Sequence, residues 1–290
     1  WIRKMIDRHQ EKAEQTGARI VHACGFDSIP SDMGVFYMQE IAREKYQKPL
    51  MKIQLFVKAM RGGASGGTIA SILNVIAESR ADRNIARTVS HPYSLNPKDK
   101  QTGPDTRDQN TITHNRDLDC WTAPFFMASI NTRIVRRSNA LMNFNYGEDF
   151  SYTESTICGK KASGWIKAIF LTLTLGLFLL GSANRITRKY FIEKLLPKPG
   201  QGPNKEQRNN GFFKLIMLGR TKDGERLSIE VTGDRDPGYG STSKILSETA
   251  ICLASDKIDT KGGIWTPASA LGGKLLLRLQ TNAGMTFKIL

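Results

Sequence analysis

The sequence predicts an α/β fold, and three stretches carry that prediction. Residues 18-ARIVHAC-24, the turn GFDSIP and the following run to about Tyr46 read as strand, tight loop and helix. That order is half of a βαβ unit, the building block of parallel sheets. Residues 51-MKIQLFVKAM-60, 61-RGGASGGT-68 and 69-IASILNVIAESR-80 repeat it. Residues 212-FFKLIMLGRT-221 and 225-ERLSIEVTG-233 then flank an Asp-Gly pair, which marks a β-hairpin.

Each element has a local reason. Residues 1–16 place Ile2, Met5, Ile6 and His9 or Ala13 at helical spacing, and Gly17 suits a helix C-terminus. The strand at 18–24 is expected to be short and buried, and Ser31 or Asp32 to cap the next helix. The glycine turn at 61–68 invites a dinucleotide-binding reading. Its spacing fits neither GxGxxG nor GxxxxGK[ST]. Two readings remain: a turn that lets the helix pack close to its strand, or exposed N–H groups holding a polar substrate group. Residues 91–117 are polar and rich in Pro, Asn and Asp, so a long loop is expected. Residues 121–142 read as one helix with Phe125, Phe126, Ile130, Ile134 and Val135 inward. Its Arg133, Arg136 and Arg137 form a basic face, either solvated or an anion site. Residues 197–211 read as a polar surface linker. A helix follows within 233–255, its apolar face including Ile245, Leu246, Ala250, Ile251 and Leu253. Asp234 and Asp236, beside Pro237 and Gly238, are expected to make turns and cap that helix rather than act as an acid–base pair.

Composition narrows the function classes. The chain has 290 residues with ordinary apolar and charged content, which excludes wholesale disorder. Cys24, Cys120, Cys158 and Cys252 are scattered, as are His9, His22, His91 and His114, so no metal site is expected. A reduced intracellular protein follows. The net charge is +15, and thirteen Lys/Arg against Glu193 and Glu206 between Lys160 and Lys222 supply +11 of it. Such a surface seeks anions. It surrounds the most apolar segment, 168-AIFLTLTLGLFLLGSAN-184, which favours lipid headgroups over nucleic acid.

That run carries no charge for 17 residues, the short edge of a spanning helix. A single crossing would separate the 25–32 and 233–240 segments by a bilayer. The run is therefore either buried in the domain or laid against a lipid surface with its basic neighbours at the headgroups; the flanking charge favours the surface.

Several long strings together resemble the saccharopine dehydrogenase-like oxidoreductases, in the branch of the trans-acting enoyl reductases. They are GFDSIPSD (25–32), SGGT (65–68), WTAPFFMASINTRIVRRSNAL (121–141), PGQGPNKEQRNNGFFK (199–214), GDRDPGYGSTSK (233–244), TPASALGG (266–273) and NAGMTF (282–287). The resemblance covers essentially the whole chain. It implies a remnant of a Rossmann-like parallel sheet at 1–35 and a mixed α/β substrate domain at 36–265 with an apolar and basic insertion at about 160–210. It also implies a C-terminal segment, 266–290, packing back on the nucleotide-binding part. The phosphate-binding glycine loop and the ribose-binding acid are expected upstream of Trp1, so this chain alone is expected to bind cofactor weakly and to be inactive.

The implied activity is NADP- or NAD-dependent reduction of an enoyl double bond in a lipid or polyketide precursor. In that role Cys24, Gly25, Phe26, Asp27, Ser28 and Pro30 would border the nicotinamide, with Asp27 and Ser28 either reaching its carboxamide or only fixing the turn. Ser65, Gly66, Gly67, Thr68, Trp121 and Arg133 would bind substrate. The cofactor carries such chemistry, so no nucleophilic triad is required. Expected partners are a lipid or acyl substrate and a membrane or lipid surface through 165–195, with no nucleic acid; a homodimer is one assembly to test. The expected location is cytoplasmic with peripheral membrane association. The alternatives are a non-catalytic lipid-surface protein and a saccharopine-type C–N reductase.

Overall fold

The structure, a computed structural model, describes residues 1–63, 65–192, 194 and 196–290. Ala64 of the glycine turn and Glu193 and Leu195 of the basic stretch lie outside the described residues.

Helix α1 (Ile2–Thr16) buries Ile6 and Ala13 and ends at Gly17, whose left-handed φ of 73° lets its N–H return to the Glu14 carbonyl. Strand β1 (Arg19–Val21) follows, then α2 (Ile29–Tyr46) with Pro30 in its first turn. Strand β2 (Leu50–Arg61) runs into α3 (Gly66–Ala81), and α4 (Arg83–Ser90) closes that arm. Strands β3 (Thr113–Asn115) and β4 (Cys120–Pro124) lead to α5 (Ala128–Leu141), β5 (Ser151–Gly159) and the long α6 (Lys161–Ala183). A short α7 (Lys205–Asn209), capped by Asn204, precedes the β6 (Phe212–Thr221) and β7 (Arg226–Gly233) hairpin. Helix α8 (Gly240–Ser255), β8 (Gly263–Trp265), α9 (Pro267–Thr281) and β9 (Met285–Ile289) complete the chain.

The α/β prediction holds. Seven strands pair in the order β3-β4-β5-β2-β6-β7-β9, and a separate parallel pair joins β1 to β8 in register Arg19↔Gly263. Among the described residues only β2 and β5 are parallel within the large sheet; its other pairs are antiparallel. The β7 alternation is strict, with Leu227, Ile229 and Val231 buried. They face a core built with Ile29, Met33 and Met38 of α2 and Leu271, Leu275 and Leu279 of α9. Buried Gln39 of α2 receives the Leu50 N–H and donates to the Leu50 carbonyl, satisfying the main chain where β2 begins. The C-terminal residues divide: α9 packs on α2, and β9 extends the large sheet beside β7.

Several expectations are corrected. Residues 121–142 are not one helix: Cys120–Pro124 pair with β5 as a strand, and the helix starts only at Ala128. Phe126 and Ile130 of that stretch are exposed. The arginines of α5 are buried, neither a solvated face nor an open anion site. Arg133 pairs with Asp108, Arg136 with Asp105 at 2.7 Å, and Arg137 donates to the carbonyls of Leu95 and Ile264. They strap the 91–117 loop to the domain, since Arg136 also holds the Pro92 carbonyl. Strand β1 is exposed rather than buried, because β8 is its sole strand neighbour among the described residues. Ser31 and Asp32 lie inside α2 rather than capping it; Ser28 occupies the cap position. On α8, Leu246 and Ile251 face out while Ile245, Thr249 and Cys252 face in. Residues 197–203 are no free linker, because Gly66 donates to the Gln201 carbonyl and Pro203 is buried. Asp236 does cap α8, accepting the N–H groups of Tyr239 and Gly240.

Candidate functional site

The glycine-rich segments interlock at the carboxyl end of β2, the end where ligands of α/β sheets bind. A Cβ added at Gly66 would lie 1.8 Å from the Lys198 carbonyl oxygen, and one at Gly62 would lie 2.6 Å from Asp236 Cβ. Only glycine permits these main-chain approaches. Thr242 then ties the 233–244 segment to the 25–30 loop: its hydroxyl accepts from Phe26 N at 3.1 Å and donates to the Pro237 carbonyl at 2.8 Å.

Below that loop lies a cavity of about 10 Å³, bordered by Phe26, Asp27, Pro30, Ser31, Phe125 and Asn131, with Leu55 and Leu215 of the sheet as its floor. It has room for about one water. A chain of buried polar groups leads away from it. Ser28 Oγ donates to Asn131 Oδ1 at 3.1 Å, and Asn131 Nδ2 donates to Glu154 Oε2 at 3.0 Å. Tyr152 Oη donates to Glu154 Oε1 at 2.8 Å, and the Ser31 hydroxyl, on the cavity wall, also bonds this carboxyl. Burial pushes the Glu154 carboxyl up to about 7 against those three hydrogen bonds. Such a group holds and releases a proton near neutral pH.

A second buried carboxyl, Asp32, directly follows Ser31 on α2. Asp32 accepts from Ser138 Oγ at 2.5 Å and from Ala268 N at 2.8 Å in the first turn of α9. Thr266 caps that helix and touches Ser138 Oγ at 2.6 Å. Burial raises Asp32 to about 7 as well, although its two hydrogen bonds and the positive helix end oppose the shift. Asp27 sits at the cavity mouth. Protein surrounds much of it, and desolvation raises its carboxyl, while its side chain stays open to water. The exposure decides its chemistry: it is a rim group that exchanges with solvent.

The sequence-derived site residues fall into separate places. Phe26, Asp27 and Pro30 border the cavity. Gly25 and Phe26 pack on Thr242, and Ser28 N returns to the Gly25 carbonyl. Cys24 Sγ points back to the Val21 carbonyl, and burial pushes its thiol up to about 12. Ser65 caps α3 by accepting from Thr68 N, and Gly66 N is taken by Gln201, so Ser65, Gly66, Gly67 and Thr68 form a self-capped turn. Trp121 stacks edge-on with His114 in β4, and Arg133 is held by Asp108 under the 91–117 loop. None of these last six lines the cavity. A larger open depression between α8 and α9 is lined by Arg278, whose charge is taken by Asp256 and Glu248.

A nicotinamide fits these residues only along one edge. The Phe26 and Ser28 N–H groups are already bonded within the protein, whereas the Asp27 carboxylate has no hydrogen-bond or ion-pair partner among the described residues. A 10 Å³ cavity does not admit the ring, and in the 61–68 turn Gly66 is packed against the Lys198 carbonyl with its N–H taken by Gln201 rather than open to a phosphate. Sequence reasoning missed Asn131, Tyr152 and Glu154. The available signal was Glu154 itself, an acid at an inward position of a strand otherwise made of Ser, Thr, Tyr, Ile, Cys and Gly.

Comparison with known proteins bears on this geometry. Over 291 aligned residues the chain is 38% identical to a Mycobacterium tuberculosis protein provisionally named a trans-acting enoyl reductase, covering 96% of this chain and 69% of the relative. It is 34% identical to the trans-acting enoyl reductases of Mycobacterium ulcerans and Mycobacterium leprae, with the same two coverages. No family model matches the chain, and no solved structure matches it.

Proposed function

This chain belongs to the trans-acting enoyl reductase family, and from that premise we propose that it serves the reduction of an enoyl double bond in a lipid or polyketide precursor. The wider kinship we propose is with saccharopine dehydrogenase-like oxidoreductases. The reductant in this reading is NADPH or NADH, which when bound supplies the hydride. Everything else the reaction needs is a proton, a dry wall and a positioned substrate.

The observation that carries the reading is Glu154, a fully buried carboxyl hydrogen-bonded to Asn131 of the cavity wall and flanked there by Ser31. In this reading Glu154 stores the proton that completes the reduction, and the Ser31 hydroxyl hands it to the cavity side. Phe26, Leu55 and Phe125 exclude bulk water there. Asn131 and Tyr152 fix the carboxyl, and Asp27 lies where the loop meets solvent.

In the intact protein, Glu154→Gln is expected to lower enoyl-thioester turnover by about 10²-fold, the scale of general acid catalysis. Wild-type turnover should fall as pH rises through about 7, where Glu154 loses its proton, and the variant should lose that limb. Wild-type turnover with an unchanged pH profile in the variant would overturn the assignment. The tight cavity favours one second reading, a lipid-surface protein without turnover. A nicotinamide titration of the intact protein that never saturates would select it.

A further inference from the structure

Helix α6 is the most apolar segment of the chain, and by length and composition it could cross a membrane, yet little of it is buried. Its inward side is narrow: Gly164, Ala168 and Ser182 are its buried residues, and Ala168 packs on Ala123 of β4 and Cys158 of β5. On the opposite side Ile166, Phe170, Leu173, Leu177 and Leu180 are 60–72% exposed. Their 4-3-4-3 spacing makes one continuous stripe about 21 Å long. A water-facing helix surface is ordinarily polar. Here the exposed side is apolar or small from Ala162 to Gly181, with Lys167 at its border.

The topology fixes how such a helix can meet lipid. The chain enters α6 from β5 and later returns in β6, and both strands are hydrogen-bonded to β2. The two ends of α6 therefore lie on the same side of any bilayer, which excludes a single crossing. The ends are basic: Lys161 and Lys167 are exposed at one, and Lys189 and Lys194 at the other. No Asp or Glu occurs between Glu154 and Glu193. Trp165 and Tyr190, both about half exposed, sit near the two ends, where amphipathic rings favour a headgroup zone. A second copy of the chain is a poorer occupant, because in either orientation it would bring cationic end against cationic end.

From these features we infer that α6 is an in-plane docking helix for an anionic lipid surface. The Ile166–Leu180 stripe enters the acyl region, and the lysines at both ends contact phosphate headgroups. This inference does not depend on the enoyl reductase reading, since vesicle binding needs no turnover.

The test is flotation of the intact protein with phosphatidylcholine vesicles, with and without phosphatidylserine. Binding is expected with phosphatidylserine and is expected to fall at least about tenfold in L173E/L177E, whose sites are exposed and leave the core intact. K161E/K167E is expected to lose most of the preference for anionic vesicles, since each surface cation contributes about fivefold. Brominated acyl chains should quench Trp165 fluorescence in wild type, and W165F should lack that signal. Absence of vesicle binding, or undiminished binding by L173E/L177E, overturns the inference. So does a wild-type dimer, unaffected by vesicles, that L173E/L177E converts to monomer, because the stripe would then be a self-association seam.

Discussion

Helices α5 and α6 invert the usual division of residues between inside and outside. Helix α5 buries Arg133, Arg136 and Arg137, whereas α6 exposes Ile166, Phe170, Leu173, Leu177 and Leu180. The difference lies in their surroundings rather than their residue types. Around α5 the 91–117 loop supplies Asp105, Asp108 and the carbonyls of Pro92 and Leu95, and α4 supplies that of Val89, so each buried guanidinium is bonded. Arg137 has no carboxylate partner among the described residues, and desolvation lowers it to about 10, yet two carbonyls keep it a satisfied cation at neutral pH. Around α6 the sheet offers one narrow seat and α3 touches its flank, and among the described residues no element covers the Ile166–Leu180 stripe. Buried charge therefore reports a built network, and exposed leucine reports an uncovered face.

The contrast can be broken most forcefully at Arg136. Arg136→Met leaves Asp105 buried beside Ser151 and Tyr152 N without its cation, and the expected loss is roughly 3–5 kcal/mol in urea unfolding. Adding Asp105→Leu to that variant should restore part of the loss, since removing both charges is less harmful than removing one. An Arg136→Met protein as stable as wild type would mean the loop strap is not structural.

Next in size is a pH effect from Asp32 and Glu154, which α5 helps to bury through Ser138 and Asn131. Both carboxyls are raised in the folded state to about 7. Folding therefore favours their protonated forms. That stabilisation is complete below the unfolded values near 4 and is lost as pH rises through about 7. Glu154 alone should contribute roughly 3 kcal/mol of difference between about pH 4 and pH 8. Unfolding midpoints should fall across that range, and Glu154→Gln should flatten the fall. A profile in the variant identical to wild type would assign the slope elsewhere.

A smaller loss is expected at Thr266, which caps α9 and bonds Ser138 of α5: Thr266→Ala should cost about 1–2 kcal/mol in the same assay. The smallest effect belongs to α6. Leu177→Ser should change stability by no more than about 0.5 kcal/mol, because its side chain is open to solvent. A larger loss there would show that α6 is covered in the protein in solution.

Much of the fold is legible in the sequence wherever local pattern and local structure coincide. Helix α1 follows its 3.6-residue spacing to Gly17, and the β6–β7 hairpin turns at Asp223-Gly224 with Gly224 at φ 98°. The 121–142 stretch misleads because a strand ending at Pro124 is joined to a helix starting at Ala128 by apolar Phe125, Phe126 and Met127, with no polar break between them. Strand β5 escapes notice because its buried Glu154 interrupts the apolar alternation that would mark it. Of the candidate site, the 25–30 loop was visible in its Gly, Asp, Ser and Pro. Its carboxyl partner was not, since Glu154 lies more than a hundred residues away.

By itself the sequence determined the α/β class, the turns, the basic surplus around one apolar run and the family to which the chain is similar. Those properties depend on neighbours within a few positions or on simple sums of charge. The tertiary structure alone decided that the α5 arginines are interior, that the α6 leucines are exterior, and that Glu154 meets Ser31. Burial and pairing are set by which distant segments arrive, and Asp105, Asp108 and Ser31 reach their partners only when the sheet brings those segments together.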